Sequence, residues 1–224
     1  MAIFIDSGDV TEIGKYHRLG VIRGVTTNPT ILAKCGLTGG MDAIRRRCVE
    51  IAGIVDPYPV SVELTTNDPK KMPNQAEELS KWAPNIVVKV PVHGPDGELE
   101  NLAVIHDLEG KKGIRVNATA VMSAQQGLLA GMAGASYVSL FSGRINNMGY
   151  DSQAEIAKLR QALEDQEIGA KIICASTREV LNVIEWLNAG AHIVTVTPNL
   201  IEGMIVHPYT KETVRQFISD AGKI

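Results

Sequence analysis

The chain has 224 residues, of which 45% are hydrophobic and 21% charged, so it can build a sizeable core, and a mainly disordered protein is excluded. With 22 basic and 25 acidic side chains the net charge is −3, which argues against a protein that binds nucleic acid or an anionic membrane through a basic surface. There is no signal-peptide pattern and no apolar run of the roughly 18 residues that span a bilayer. Three widely spaced cysteines indicate reduced thiols, so we expect a cytoplasmic protein.

Short apolar runs rich in β-branched residues alternate with stretches of helical composition along the whole chain. The eight predicted strands are residues 3–5, 21–26, 59–64, 86–92, 114–117, 137–141, 171–175 and 193–196. The eight clearest predicted helices are residues 10–19, 41–54, 69–82, 99–112, 120–133, 151–165, 177–188 and 210–222. Because no linker and no shift in composition interrupts this pattern, residues 1–224 are predicted to form one domain.

Strands that alternate with helices predict a parallel sheet of the α/β class, and eight repeats favour a closed (β/α)8 TIM barrel. The alternative is an open, doubly wound sheet; no GxGxxG motif follows the first strand, so its dinucleotide-binding form has no support. Boundary signals agree with the helices. Residues 176–179 are typical of a helix start, and Gly134, Gly169 and Gly190 stand where left-handed C-caps are expected.

Polar side chains recur near the carboxyl ends of the predicted strands, where the active sites of such barrels lie. Some interrupt the apolar runs and others directly follow them, and Asn117 and Thr119 are expected to end the fifth strand. The set comprises Asp6, Thr26, Thr27, Asn28, Glu63, Lys89, Asn117, Thr119, Ser139, Arg144, Ser176 and Arg178. The functional site is therefore predicted at this end of the barrel.

Lys89 is the most informative of these residues, because it interrupts the otherwise apolar run 86–92. A charged amine is costly to bury, so burial favours its neutral form, which can attack a carbonyl carbon. Two structural alternatives are equally open at this point. Lys89 can extend to solvent from an edge strand, or it can form a purely structural pair with Glu63.

Two carboxyl residues, Asp6 and Glu63, also lie in apolar strands. Each alone can be the structural partner of a buried lysine. Together with Lys89 they favour a proton-transfer set, because iminium chemistry needs several proton transfers. Asn28, which precedes Pro29, is by itself typical of a turn.

Two arginines, Arg144 and Arg178, follow the sixth and seventh predicted strands, with Ser176 beside them. Taken singly, each is typical of a solvated surface residue. Together they can clamp a phosphate group at a loop or a helix N-terminus. The five histidines show no metal-ligand spacing, so no metal site is predicted.

Several of these residues fall within motifs that occur in one known family. The most specific motif is GVTTNPT at residues 24–30, and the segment 86–92 carries Lys89. Further matching segments are residues 117–119, 139–141, 143–144 and 175–178. In this order and along nearly the whole chain, they resemble the transaldolases, in particular the small ones that group with fructose-6-phosphate aldolase.

The resemblance implies that Lys89 forms a Schiff base with a ketose carbonyl. Asp6 is expected to take and return the proton of the hydroxyl at the cleaved bond. Glu63 is expected to act with Thr119, through a water, in carbinolamine formation and dehydration. The implied substrate-binding residues are Thr26, Asn28, Asn117, Ser139, Phe141, Arg144, Ser176 and Arg178. Of these, Arg144, Ser176 and Arg178 are expected to bind the distal phosphate, and no metal or organic cofactor is implied.

The function implied by the resemblance is transfer of a dihydroxyacetone unit from a ketose such as fructose 6-phosphate to an aldose phosphate. A first alternative is an aldolase that only cleaves. Relatives of that kind carry glutamine in place of Glu63 and tyrosine in place of Phe141, so this sequence favours transfer. A second alternative, a non-catalytic sugar-phosphate-binding barrel, is disfavoured by the intact set of Lys89, Asp6 and Glu63.

Some residues around the expected pocket depart from the family pattern: Ser7, Gly8, Leu140 and Ser142. Because they lie near the anion site, a donor with a sulfonate group, 6-deoxy-6-sulfofructose, is kept as an alternative substrate. The resemblance also implies a homo-oligomer, either a pentamer or a decamer, with the C-terminal helix as a contact.

Overall fold

Eight short parallel strands pair in chain order, and the last pairs with the first, which closes a barrel. The computed structural model describes residues 2–224. The strands are β1 (Ala2–Asp6), β2 (Val25–Thr26), β3 (Val60–Glu63), β4 (Ile86–Pro91), β5 (Val116–Val121), β6 (Tyr137–Leu140), β7 (Lys171–Cys174) and β8 (Ile193–Val196). The predicted (β/α)8 barrel is thereby confirmed, and the open sheet was the wrong alternative.

Helices follow every strand along the described chain. They are α1 (Val10–Arg18), α2 (Pro29–Lys34), α3 (Gly40–Val55), α4 (Met72–Ser80), α5 (Glu100–Lys112), α6 (Ala124–Met132), α7 (Ser142–Asn147), α8 (Ser152–Asp165), α9 (Val180–Asn188), α10 (Pro198–Ile205) and α11 (Pro208–Ala221). The sequence did not predict α2, α7 and α10, because helices of six to eight residues are too short to show a periodic apolar face.

Two predicted strands differ from those in the structure by more than one residue at an end. The strand predicted at residues 21–26 is reduced to β2, because the chain is irregular before Val25, where Gly24 lies against the Phe4 ring. The strand predicted at residues 114–117 instead runs to Val121, with a bulge and a positive φ of 58° at Ala120. Asn117 and Thr119 therefore lie within β5 and do not end it, and the helix expected from residue 120 begins at Ala124.

The structure confirms some of the predicted helix ends and contradicts others. α9 begins at Val180, later than expected, because Glu179 and Asn182 form a capping box there. Gly134 and Gly190 have φ angles of 105° and 112°, which confirms two of the predicted left-handed ends. The third was wrong: after α8 it is Glu167, with a φ of 54°, and not Gly169, that adopts the left-handed conformation.

Side chains alternate along the strands and so divide the core into two parts. Helix-facing residues such as Val88 and Val90 belong to the main apolar core. A separate small cluster of Phe4, Ile173 and Ile193 comes from the alternate positions, which point into the barrel. Because the interior positions nearer the carboxyl ends are polar, the fold itself places Lys89 among polar groups inside the barrel. Within residues 2–224 no helix is long and apolar enough to cross a membrane.

Candidate active site

A cavity of about 890 Å³ opens at the carboxyl ends of the strands. Seven of the predicted site residues line it: Asp6, Asn28, Glu63, Phe141, Arg144, Ser176 and Arg178. The other five are buried in the strands below: Thr26, Lys89, Asn117, Thr119 and Ser139. The structure thus brings all twelve to one end of the barrel, in an outer set at the cavity wall and an inner set beneath it.

Lys89 lies inside the barrel with only 4% of its surface exposed. Its Nζ donates a hydrogen bond to the Thr27 carbonyl oxygen at 3.0 Å and lies 3.2 Å from Glu63 Oε2. A closed barrel has no edge strand, so the expectation that Lys89 reaches solvent from an edge is wrong. The pairing with Glu63 is confirmed, but it is not purely internal, because Glu63 also lines the cavity. The amine is therefore held directly below the cavity floor.

Two oxygen atoms lie within reach of the Lys89 amine, one of the Glu63 carboxylate and one of the Thr27 carbonyl. A proton on Nζ has a direct acceptor in Glu63, at 3.2 Å. The geometry therefore provides a path for a proton between the amine and the carboxylate.

Asp6 ends β1 at the cavity, and Thr26 Oγ1 donates a hydrogen bond to its Oδ1 at 2.6 Å. Burial raises the pKa of Asp6 above its ordinary value; the Thr26 hydrogen bond and the Lys89 charge lower it, and the Glu63 charge raises it. The net effect is a pKa of Asp6 above its ordinary value. Asp6 is consequently a carboxyl group suited to both accepting and returning a proton.

The inner set contains a second hydrogen-bonded chain. Ser139 Oγ donates to Asn117 Oδ1 at 2.8 Å, and Asn117 Nδ2 donates to Ser61 Oγ at 3.1 Å. Asn117 is paired in register with Lys89, so this chain lies beside the amine. Thr119 Oγ1, two residues on, is buried and has no hydrogen-bond partner among residues 2–224. A buried hydroxyl without a partner is costly, and a group outside the chain can satisfy it.

From the sequence alone Asn28 was typical of a turn, whereas in the structure it caps a helix. Its Oδ1 accepts a hydrogen bond from the Ile31 amide at 2.8 Å, so it is the N-cap of α2, with Pro29 in the first turn. The capping bond uses the side-chain oxygen. The amide nitrogen of the same side chain is left for a ligand in the cavity, which Asn28 lines.

Three residues of the expected anion group, Arg144, Ser176 and Arg178, line the same cavity. The Arg144 guanidinium lies over the Phe141 ring, 5.0 Å from its centre, which fixes its direction. The first turn of α7 and the loop after β7 approach so closely that a Cβ at Gly143 would lie 1.8 Å from the Ser176 carbonyl oxygen. Only glycine fits there, and this contact joins α7, which carries Arg144, to the loop that carries Arg178.

The sequence interpretation missed several residues of the site. Asp9, Glu12 and Lys34 line the cavity, and burial with the nearby Asp9 charge raises the pKa of Glu12. Nothing in the local sequence indicates that these residues face the cavity. Thr195 also lines it, and Ser61 is buried below it. Both interrupt apolar strands, which is the same signal that identified Ser139.

No group of three or more His, Cys, Asp or Glu side chains in the described chain is arranged to hold a metal ion. The polar atoms gathered at the cavity are instead an amine, carboxyl groups, hydroxyls, amides and guanidinium groups. This set can perform nucleophilic attack, proton transfer and binding of an anion.

Comparison with known proteins identifies similar sequences along nearly the whole chain. The model of a family described as Transaldolase/Fructose-6-phosphate aldolase matches residues 3–223. A probable transaldolase of Pelotomaculum thermopropionicum is 41% identical over 224 residues, which are 100% of this chain and 99% of that protein. Probable transaldolase 2 of Listeria monocytogenes is 39% identical over 220 residues, which are 98% of this chain and 95% of the relative.

Comparison with solved structures finds similar barrels. Thiamine phosphate pyrophosphorylase from Pyrococcus furiosus superposes with a TM-score of 0.61 over 88% of this chain and 85% of that protein. The two sequences are 11% identical. At this level of identity the likeness concerns the fold alone.

Proposed function

Because the chain belongs to the transaldolase/fructose-6-phosphate aldolase family and is an enzyme of the transaldolase type, we propose that it transfers a dihydroxyacetone unit through a Schiff base on Lys89. The donor is a ketose with an anionic group at C6, such as fructose 6-phosphate, and the acceptor is an aldose phosphate. The observation that carries this proposal is the buried Lys89 amine, 3.2 Å from Glu63 beneath a cavity that Asp6 and two arginines line.

The first stage is formation of the Schiff base. Lys89 passes its proton to Glu63, and the neutral amine attacks the ketose carbonyl carbon. The carbinolamine then loses water to give the iminium ion. Glu63 and Thr119 assist these proton transfers through a water, for which the unpaired Thr119 hydroxyl provides a hydrogen-bonding group.

The second stage is cleavage and transfer. Asp6 accepts the proton of the C4 hydroxyl while the C3–C4 bond breaks, and the bonding electrons pass to the iminium ion to form an enamine. The released aldose is replaced by the acceptor aldehyde. The enamine carbon attacks this aldehyde, Asp6 returns its proton to the new alkoxide, and water hydrolyses the regenerated iminium ion. The atoms and charges balance without a metal or organic cofactor.

Substrate binding is divided between two sets of residues. Asn28, Asn117 and Ser139 hold the hydroxyl groups of the dihydroxyacetone unit, with Thr26 and Phe141 beside it. Arg144, Ser176 and Arg178 bind the terminal anion. Support for this assignment comes from the close approach of Gly143 to Ser176, which brings the segments that carry Arg144 and Arg178 together at the cavity wall.

The test is a product assay combined with covalent trapping. Fructose 6-phosphate and 6-deoxy-6-sulfofructose are each incubated with and without an aldehyde acceptor, which distinguishes phosphate from sulfonate donors and transfer from free cleavage. Borohydride with the ketose should add one reduced adduct at Lys89, and Lys89→Ala should lose adduct and turnover. Lys34→Ala is the matched control, since Lys34 lines the same cavity and should leave the adduct in place. An adduct on another lysine would overturn the mechanism.

We further propose that the protein works as a homo-oligomer that uses α11 as a contact. No residue of this 14-residue helix is buried within the chain. Its exposed apolar side chains include Val214, Phe217 and Ile218. Exposed apolar surface of this kind is typical of interfaces. Light scattering of the full chain, compared with Phe217→Glu, tests this; a monomer in both cases would contradict it.

A further inference from the structure

Three side chains from different strands form a continuous hydrogen-bonded chain at the bottom of the cavity. Thr26 Oγ1 lies 2.6 Å from Asp6 Oδ1 and 2.6 Å from Thr195 Oγ1. Thr26 and Thr195 are each 2% exposed, on β2 and β8, and both strands pair with β1, which carries Asp6. Thr195 also lines the cavity, so the chain runs from its wall to the carboxyl group.

The direction of the hydrogen bonds follows from the number of protons. A hydroxyl has one proton to donate, and an ionised carboxylate can only accept. When Asp6 is ionised, Thr26 therefore donates to Asp6 Oδ1. Its oxygen must then accept from Thr195, which is the donor at the end of the chain. Thr26 is the only donor to the Asp6 carboxyl group among the described side chains.

The same arrangement restricts where Asp6 can carry a proton. If Oδ1 carried the proton and donated it to Thr26, the Thr26 hydroxyl would have to donate to Thr195 instead of to Asp6. The Thr195 hydroxyl would then have to direct its own proton away from Thr26. A proton on Oδ2 leaves both threonine hydrogen bonds intact. The chain therefore favours protonation at the carboxyl oxygen that Thr26 does not occupy, while Asp6 itself lines the cavity.

From this geometry we infer that Thr195 is a positioning residue: through Thr26 it fixes the Asp6 carboxyl group and keeps its Oδ2 as the oxygen that exchanges a proton with the substrate. This inference rests on the proposed role of Asp6 as the acid–base group. Thr195 itself need not touch the reacting atoms. The charged groups that face Asp6 are Lys89 on β4 and Glu63 on β3, and they are unchanged in the variants below.

The experiment compares Thr195→Val, which keeps the shape and removes the hydroxyl, with Thr195→Ser, which keeps the hydroxyl. Loss of the end donor weakens the donation by Thr26, so the ionised form of Asp6 becomes less stable. Asp6 must be ionised to accept the substrate proton. The acid limb of the kcat–pH profile should therefore move upward by about half a pH unit. At neutral pH, kcat should fall by at most about threefold, since half a pH unit is a factor of about three in the ionised fraction of Asp6. Thr195→Ser should restore both.

A control variant separates this role from simple packing, and a second test variant guards against misfolding. Thr177→Val removes a hydroxyl that donates to the Thr195 backbone carbonyl at 2.7 Å, outside the chain to Asp6. It should lower the melting temperature and leave the acid limb in place. Thr195→Ala provides a second hydroxyl-free variant if valine prevents folding, with the same upward shift expected.

The outcomes also separate this inference from the proposed function. Borohydride trapping at Lys89 precedes the Asp6 step, so Thr195→Val should trap as well as the unmodified enzyme. An unchanged acid limb in both hydroxyl-free variants, or no recovery with serine, would overturn the role of Thr195 alone. Absence of an adduct at Lys89 in the unmodified enzyme would overturn the proposed function and this inference with it.

Discussion

Lys89 and Glu63 face each other across neighbouring strands, in register on β4 and β3, with Nζ 3.2 Å from Oε2. The lysine side chain is 5% exposed and the glutamate side chain 21%, so the pair joins a buried amine to the cavity. Removing one partner of such a pair leaves the other uncompensated, which is more costly than the pair itself. The same contact that stabilises the buried charge thus provides its proton acceptor.

The first prediction concerns the balance between transfer and free cleavage. Glu63→Gln removes the proton acceptor beside Lys89, and Phe141→Tyr adds a hydroxyl to the cavity wall. In the double variant, free aldol cleavage should rise relative to transfer to an added aldehyde. Product analysis with and without acceptor measures this ratio. A proportional fall of both activities would show that neither residue controls the partition.

The second prediction concerns the anion. Arg144→Ala should raise the KM for fructose 6-phosphate roughly ten- to over a hundredfold, since one hydrogen bond to a charged group contributes about 1.5–3 kcal/mol. The KM for free dihydroxyacetone, which has no terminal anion, should change little. Arg46→Ala, at an exposed position of α3, is the control. Equal penalties for both donors would mean that Arg144 stabilises the barrel and does not bind the anion.

The third prediction concerns the contact between Gly143 in α7 and Ser176 in the loop after β7. In Gly143→Ala the new methyl group would meet the Ser176 carbonyl at 1.8 Å, so the backbone must shift. The variant should lose about 1–3 kcal/mol of stability, together with affinity for an anionic donor. Gly14→Ala in α1 meets nothing within 4 Å and should instead stabilise by about 0.5–1 kcal/mol. Thermal unfolding compares the two; similar effects would contradict the close-approach argument.

The fourth prediction concerns the stability cost of Asp6. Because burial raises its pKa above 3.8, the folded protein holds this proton more tightly than the unfolded chain does. The contribution of Asp6 to stability is therefore largest below pH 3.8 and is lost as the pH rises through the raised pKa. Asp6→Asn should raise the melting temperature at neutral pH, and this gain should shrink towards about pH 4.

The activity of Asp6→Asn should fall, although its stability at neutral pH should rise. Asparagine cannot accept a proton, so turnover should fall about 100- to 10,000-fold. Calorimetry across the pH range, with a parallel activity assay, checks both effects. A stability gain that does not depend on pH would show that the ionised Asp6 is not the source of the cost.

The local sequence pattern was sufficient to predict the repeat of strands and helices, because the strands are buried on both faces and the longer helices other than α11 on one. It was also sufficient to single out Lys89 and Asp6, since a charge within an apolar strand is visible without a partner. It failed for α2 and α7, which are too short for periodicity, and for the end of β5, where the bulge before Val121 extends the strand past Asn117.

The partners of these residues were decided only by the tertiary structure. Thr195 meets Thr26 across 169 positions of sequence, and Asn117 meets Ser61 across 56. Such contacts depend on strand register and on the pairing of β8 with β1, and neither can be recognised from the local sequence pattern. The sequence by itself determined that side chains such as Lys89 and Asn117 would be buried polar groups, because burial follows from neighbouring residues. Barrel closure determined which of them exchange hydrogen bonds, because it sets the distances between strands that lie far apart in the chain.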